Sequence, residues 1–368
     1  MIIEILFLSI SCHHKPSTHC GENRINNKYS IRWDSLIINA DNLSGAGNFF
    51  MQDSSLFFAD LYHMTVYEYN IFSGEYITEH LGYGSGPNEI PAFLYVYPSN
   101  NHMGDWIIVD NSLLMYSYNR KDRILKRLGS INFNWDRMNK SFNSPSLYNI
   151  MEMTDFGIDF TFLNDSTLLL PINIIERFLT NSKSKMFDKG HIIGELDLTT
   201  MSITRVVGKY PLIYNKKPNS YFDFFHYILK NDTLFVNHAI DSLIYVYKYP
   251  DKLLYTMGYE YGKINRDYTC GYDIDMSDFN KDCKTVGYNT GLINIPRTNI
   301  FIRTAINNSV ENHTILQIYE DTDLIYETNI PFVFKIIGYL DGSIYGVNML
   351  PIEDEEGNMN LTLYNFRI

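Results

Sequence analysis

The chain has 368 residues, 45% hydrophobic and 20% charged, which supplies enough apolar material for a packed core and excludes a globally disordered protein. Its 42 acidic and 30 basic residues leave a net charge of −12, so nucleic acid is not an expected partner, because phosphate binding needs a basic face. Aromatic residues reach 15%, led by 29 Tyr and 23 Phe, and such side chains suit the pleated, half-buried surface of a sheet.

Residues 1–28 read as a leader and polar linker. Met1 to Ser11 form an apolar run that stops at Cys12 and gives way to a polar stretch. The run is too short to span a bilayer as a helix, and no later stretch of about 20 apolar residues exists. An apolar segment ending in a small residue, Ser11, just before Cys12 resembles the lipobox of bacterial lipoproteins, although it carries Glu4 and no basic residue. That resemblance implies export and acylation at Cys12, with the protein on the periplasmic or cell-surface side and touching the membrane through the lipid alone. The remaining cysteines show no CxxC or Cys/His metal spacing. Cys270 and Cys283 fit either a disulfide or two thiols.

Next comes a strand at Tyr29–Ile37 without an obvious partner, and then a unit that recurs along the rest of the chain. Each copy has an Asp/Asn-plus-small-residue turn, an apolar strand, a break, a second alternating strand, another turn and a third strand. The copies begin at Asp53-Ser54, Gly104-Asp105, Asp165-Ser166, Asp232-Thr233, Asn299 and Asp341-Gly342. One more apolar strand precedes each, as in Phe222–Leu229 and Phe332–Tyr339. Asp and Asn suit these turns because they tolerate left-handed backbone or bond their own main chain. Four antiparallel strands make a propeller blade. The expected fold is therefore an all-β, six-bladed β-propeller over residues 29–368, a single domain and a monomer. The sixth copy runs out of chain after its third strand, so Tyr29–Ile37 is expected to supply the missing strand and close the ring. Long polar loops at 132–158, 176–190 and 267–290 are candidate lids or partner surfaces.

Ile107-Ile108-Val109-Asp110, like Phe57-Phe58-Ala59-Asp60 before it, resembles the strand ending of NHL and TolB-like six-bladed propellers. Leu81 to Ile90, with Gly84, Gly86, Pro87, Asn88 and Glu89, is similar to the G-x-G-P-G-E loop of six-bladed propeller lipoproteins from Bacteroidetes-type bacteria. Asn88 stands where that loop has Gly, a replacement that left-handed backbone tolerates. The resemblance implies a fold and a cellular address, not an activity. No lysine or helix follows the loop as a phosphate cradle would require, so its expected role is structural: Pro87 fixes φ, and Glu89 bonds the amides of the passage between blades one and two.

The residues that end the second strand of each blade are mostly polar: Asp60, Asp110, His238, Thr304 and Asn348, with Asn173 one place beyond the third. Set around an axis, they would form a ring able to hold sugar hydroxyls or a hard cation, Ca2+ among them. The competing expectation is that each caps its own turn. No G-x-S-x-G, HExxH or EF-hand pattern is present, the histidines are isolated, and the acidic tract Glu353–Asn358 reads as a solvated hairpin tip. No cofactor is expected. The functional expectation is a binding or interaction propeller for a glycan, peptide or protein. The alternative is a metal-assisted hydrolase, lyase or sugar-oxidising enzyme working in the central funnel.

Overall fold

The computed structural model describes residues 17–18, 31–99, 105–131, 141–150, 160–174, 183–261, 264–271, 275–308, 313–348, 352–353 and 359–367. Cys12, parts of the first two long loops and residues 354–358 of the acidic tract lie outside them.

Strands β1 (Ser17–Thr18) and β2 (Arg32–Asn39) come first. Blade one is β3 (Gly47–Gln52), β4 (Ser55–Asp60), β5 (Thr65–Asn70) and β6 (Tyr76–Leu81); blade two is β7 (Tyr95–Pro98), β8 (Trp106–Val109), β9 (Leu114–Asn119) and β10 (Ile124–Ser130). Blade three holds β11 (Tyr148–Ile150), β12 (Thr161–Asn164), β13 (Thr167–Ile174), helix α1 (Lys183–Lys189), β14 (Ile193–Asp197) and β15 (Ser202–Val207). After the short helix α2 (Ile213–Lys216), blade four is β16 (Phe225–Lys230), β17 (Thr233–His238), β18 (Ile244–Lys248) and β19 (Lys252–Met257). Helix α3 (Met276–Thr285) leads to blade five, β20 (Tyr288–Asn294), β21 (Ile300–Ile306), β22 (Thr314–Glu320) and β23 (Asp323–Ile330). Blade six is β24 (Phe334–Leu340), β25 (Ser343–Asn348), β26 (Ile352–Glu353) and β27 (Met359–Arg367).

Six sheets result; in five of them the blade's own strands are antiparallel and follow chain order, and β1 adds to the outer edge of blade four, parallel to β19. The sixth runs β24-β25-β27-β2, so the strand near the N-terminus completes the last blade, as the sequence predicts. Its register runs without a shift from Arg32 opposite Arg367 to Asn39 opposite Asn360. Trp33 fastens the closure, its ring 4.4 Å from that of Phe366 and 5.6 Å from that of Phe334, and Ile38, further along the same strand, is fully buried. The turn residues behave as their chemistry demands: Asp53, Asn231 and Asp341 adopt left-handed backbone at φ 55°, 53° and 49°.

Blade three departs from the expected single inner strand. Both β11 and β12 pair with β13, Tyr148 opposite Ile174 and Thr161 opposite Leu169, leaving a gap between them. Pro171 lies in that gap. The neighbouring Ile172 N–H donates to Ile192 on the β14 side, so position 171 faces the inner side, where proline has no N–H to give.

The core lies between blades. Leu56, Phe58 and Tyr67 of blade one pack with Ile38, Val347 and Leu363 of blade six, and Phe57 and Val66 pack with Trp106 and Ile108 of blade two. Trp106 Nε1 also donates to Gln52 Oε1 at 3.0 Å. Behind it the Glu68 carboxylate accepts from Ser55 Oγ at 2.6 Å and lies 2.8 Å from His80 Nε2. Burial raises the pKa of Glu68, but these bonds outweigh it and hold the carboxyl below its ordinary value.

The loop at 267–290 is packed rather than open where it is described. Asp275 caps α3 by accepting from Asp278 N at 2.9 Å. Thr269 donates to buried Asp282 through N and Oγ1, both at 2.8 Å, and Phe279 stacks on Tyr221 at 4.6 Å. Cys270 and Cys283 are not joined by a disulfide. Ile352 and Glu353 pair with Asn360 and Met359 in blade six.

Candidate functional site

The inner strands β3, β7, β20 and β24 leave a cavity of about 550 Å³ on the propeller axis, between blades one, two, five and six. Its wall includes Asn48, Phe49 and Met51 from blade one, Tyr95 and Tyr97 from blade two, Asn294 from blade five, and Lys335 and Tyr339 from blade six. Lys335 Nζ donates to Asn48 Oδ1 at 3.0 Å, tying blade six to blade one at the cavity surface. Met51 crosses the same seam, and a Cβ on Gly338 would come within 2.4 Å of its Cε, so a side chain there would displace it. Asn294 Nδ2 donates to Ile300 O at 2.8 Å, which fixes the amide against its own hairpin. Tyr95 and Tyr97 lean on Phe160, their ring centroids 5.9 and 5.2 Å from it. Inner edge strands also turn unpaired main-chain N–H and C=O groups toward the axis.

The six polar positions singled out from the sequence stand one strand back, and none is among the residues lining this cavity. Asp60 is fully buried and accepts from Ser44 N at 2.8 Å, Ser44 Oγ at 2.7 Å, and the amides of Tyr62 and His63 at 2.9 Å. Asp110 accepts from the amides of Ser112 and Leu114 at 2.8 Å. Both geometries are those of turn caps. Asn173 faces Asn149 across the β11–β13 pair, and Asn348 faces Phe334. Thr304 Oγ1 accepts from Thr290 at 3.0 Å, while Asn289 Nδ2 donates to the His238 carbonyl at 2.7 Å, so consecutive residues of β20 hold those two positions. In the Gly84–Glu89 loop, Glu89 Oε2 accepts from Gly86 N at 2.8 Å. Gly84 has φ 154°, and a Cβ there would lie 2.0 Å from that same oxygen, so only glycine lets the carboxylate fold over the turn.

His238 is fully buried, and neither ring nitrogen has a hydrogen-bond partner. The rings of Tyr214, Phe225 and Tyr245 lie 5.7, 5.7 and 5.8 Å away, with Tyr210 at 6.1 Å. Burial pushes its pKa from 6.5 down to about 3. The unfolded chain takes up this proton near pH 6.5 and the folded chain only near pH 3, so stability is lost as pH falls through that window, by about 1.4 kcal/mol per unit. Between pH 6 and pH 4 the urea midpoint of His238→Phe is therefore expected to fall less than that of the wild type, by about 2 to 3 kcal/mol in free energy. Equal losses in the two proteins would contradict it.

A second concavity of about 520 Å³ opens on the outer rim of blade one, between Asp41, Asn42, His63, Tyr67, Tyr76 and Glu79. Tyr62 and Tyr76 are exposed nearby, at 77% and 53%. Among the described residues no group of three or more His, Cys, Asp or Glu is arranged to hold a metal, and no helix is long and apolar enough to cross a membrane.

Fold and cavity together define a six-bladed β-propeller with a pocket on its axis. Two solved structures share this fold. A member of the DUF4221 family from Bacteroides vulgatus superposes with a TM-score of 0.66 at 14% identity, over 92% of this chain and 98% of that one. A Bacteroides fragilis protein described as exported superposes with a TM-score of 0.54, also at 14% identity, over 95% of this chain and 98% of that one. No protein-family model and no curated protein matches the sequence.

The sequence reading missed the wall residues Asn48, Asn294 and Lys335. A signal was present, since Lys335 is the one charge within Phe332–Tyr339.

Proposed function

We propose that the protein is an exported, lipid-anchored binding propeller that holds a glycan, peptide or protein segment at its axial cavity without transforming it. The observation that carries this reading is the composition of the described wall, where amides, tyrosines and one ammonium border about 550 Å³ and no carboxylate stands among the described lining residues. Such a surface provides orienting hydrogen bonds and stacking faces, and the volume is that of a small-ligand pocket. Among the described lining residues there is no carboxylate to act as a general acid or to ligate a hard cation, which favours binding over the metal-assisted enzyme. Anchoring is assigned to Cys12, and the likeness to a Bacteroides protein described as exported supports that address.

The test is a thermal-shift screen of neutral oligosaccharides and short peptides on three proteins: wild type, Asn48→Trp and Tyr76→Ala. A ligand at about 100 times its dissociation constant stabilises by about 2.7 kcal/mol. The expected hit shifts wild type and Tyr76→Ala but not Asn48→Trp, and is recovered unchanged by mass spectrometry. A shift lost only in Tyr76→Ala would move the site to the blade-one rim, and a converted ligand would establish an enzyme. Fatty-acid labelling in a bacterial host is expected to mark the wild type and not Cys12→Ser.

A further inference from the structure

The concavity on the outer rim of blade one combines aromatic faces with negative charge. Its described lining residues are Asp41 and Asn42, just past the closing strand β2, and His63, Tyr67, Tyr76 and Glu79 of blade one. Register puts Glu79 opposite Tyr67 and, past a bulge, Tyr76 opposite Tyr69, so the tyrosines and the carboxylate share one face of the β5–β6 pair. Glu79 and Tyr76 are exposed, and Tyr62 stands exposed nearby with its ring 5.2 Å from that of His63. Asp41 is held in place: Oδ1 accepts from Met359 N at 2.8 Å and Oδ2 from Asn39 Nδ2 at 2.9 Å. Burial and then the Asp60 and Glu79 carboxylates raise the pKa of Tyr67. At Tyr76, after burial, Glu79 raises it more than Arg123 lowers it. That arginine is engaged on the other face, where Nη2 donates to Thr78 Oγ1 at 2.8 Å and to Glu79 O at 3.1 Å. His63 Nδ1 lies 3.2 Å from Asp60 Oδ2, so a proton on that ring is balanced on the spot. No Lys or Arg is among the described lining residues. The sequence just before Met359 reads Glu353-Asp354-Glu355-Glu356-Gly357-Asn358, four acids and no base.

We propose that this rim concavity is a cation site that takes the guanidinium of an arginine side chain on a basic partner segment, paired with Glu79 and Asp41 and stacked on the ring of Tyr76. The chemistry of the wall selects that ligand class. A neutral sugar or peptide gains no charge-assisted bond there, and an anion is repelled both by the two carboxylates and by a chain of net charge −12. A tyrosine face attracts cations through its ring quadrupole. Arginine meets both features at once, because its planar fork donates to a carboxylate while its flat face stacks on an aromatic ring. The site is independent of axial binding, since the two concavities share no described lining residue.

Ligand-observed NMR on the full chain tests it by comparing N-acetyl-L-arginine amide with N-acetyl-L-citrulline amide, which keeps the planar shape and loses the charge. The arginine amide is expected to bind about fivefold or more tightly, and to weaken as salt rises from about 50 to about 500 mM. Glu79→Gln and Tyr76→Ala are each expected to lose most of that preference, whereas Tyr76→Phe keeps it because the ring face remains. Both positions are exposed, so melting temperatures stay close to wild type. Glu320→Gln, the same charge change at an exposed position of blade five, is expected to leave the preference intact, as is Asn48→Trp in the axial cavity. Equal binding of the two amides overturns the cation site, and so does no arginine binding up to about 20 mM. A loss in Glu320→Gln as large as that in Glu79→Gln also overturns it, because the overall negative field and not this concavity would then attract the ligand.

Discussion

Replacing Arg303 with methionine is expected to destabilise the propeller by about 3 to 5 kcal/mol, the range for breaking a buried charged network by removing one member. Arg303 is 2% exposed in β21 and reaches across to the preceding blade. Its guanidinium donates to Ser242 O at 2.6 Å and Tyr259 O at 2.5 Å, both in the chain of blade four or just past it, and Nε donates to Gln317 Oε1 at 2.8 Å. Gln317 relays the contact to Glu327, and Tyr319 also donates to Gln317. Burial lowers the pKa of Arg303 and raises that of Glu327, so each bears a desolvation cost that the relay offsets. Methionine fills part of the volume, leaves the Ser242 and Tyr259 carbonyls without this donor, and leaves Gln317 Oε1 with Tyr319 alone. Arg303→Lys keeps the charge but not the fork, and is expected to recover less than half of the loss. Denaturant midpoints at unchanged slope measure both variants. A loss below about 1 kcal/mol for Arg303→Met would show that water replaces the guanidinium and that the blade-four to blade-five contact does not depend on it.

Most of the architecture was legible because it is written locally. Asp53, Asn231 and Asp341 announce tight turns through the left-handed backbone they accept, and that requirement holds whatever the rest of the fold does. The closing strand was legible by counting, since a blade short of one strand leaves an unpaired edge and Tyr29–Ile37 was the stretch left over. Blade three was less legible. The split of its inner strand depends on which side of β13 the missing N–H of Pro171 faces, and that is fixed by the partner of Ile172, a nonlocal fact.

Locating the site required a different kind of information. The reading placed polar residues at the ends of second strands, where Asp60 and Asp110 instead spend their oxygens on the amides of adjoining turns and loops. Local bonding of that kind could be anticipated for each residue alone. Which inner strands border the axial cavity could not, because only the assembled ring brings β3, β7, β20 and β24 around one space. Lys335 was the exception. A charge inside an apolar strand has no local turn to cap, so it must pair, reach solvent or line a cavity.

A chain beginning at Asp41 is expected to lose the cooperative fold altogether, whereas one beginning at Tyr29 is expected to keep its stability. The shorter chain lacks β2 and with it eight consecutive pairings to β27, the burial of Ile38 and the Trp33 contacts with Phe334 and Phe366. Burying each of those two side chains contributes about 1.5 to 3 kcal/mol, and a whole domain has only about 5 to 15 kcal/mol of stability. The nine residues of β27 would then present an open edge bearing Leu361, Leu363 and Phe366, an invitation to pair with another copy. Self-association on size-exclusion chromatography and a broad, early melt are the expected readouts. The same geometry predicts a rescue. A synthetic peptide spanning residues 29–40, added in excess, has the register needed to refill the edge as an added strand and should sharpen and raise the melt. Substituting Trp33 with alanine in that peptide should weaken the rescue. If the chain from Asp41 instead melts cooperatively near the longer one, the ring does not need β2 to close, and blade six would be stable on three strands.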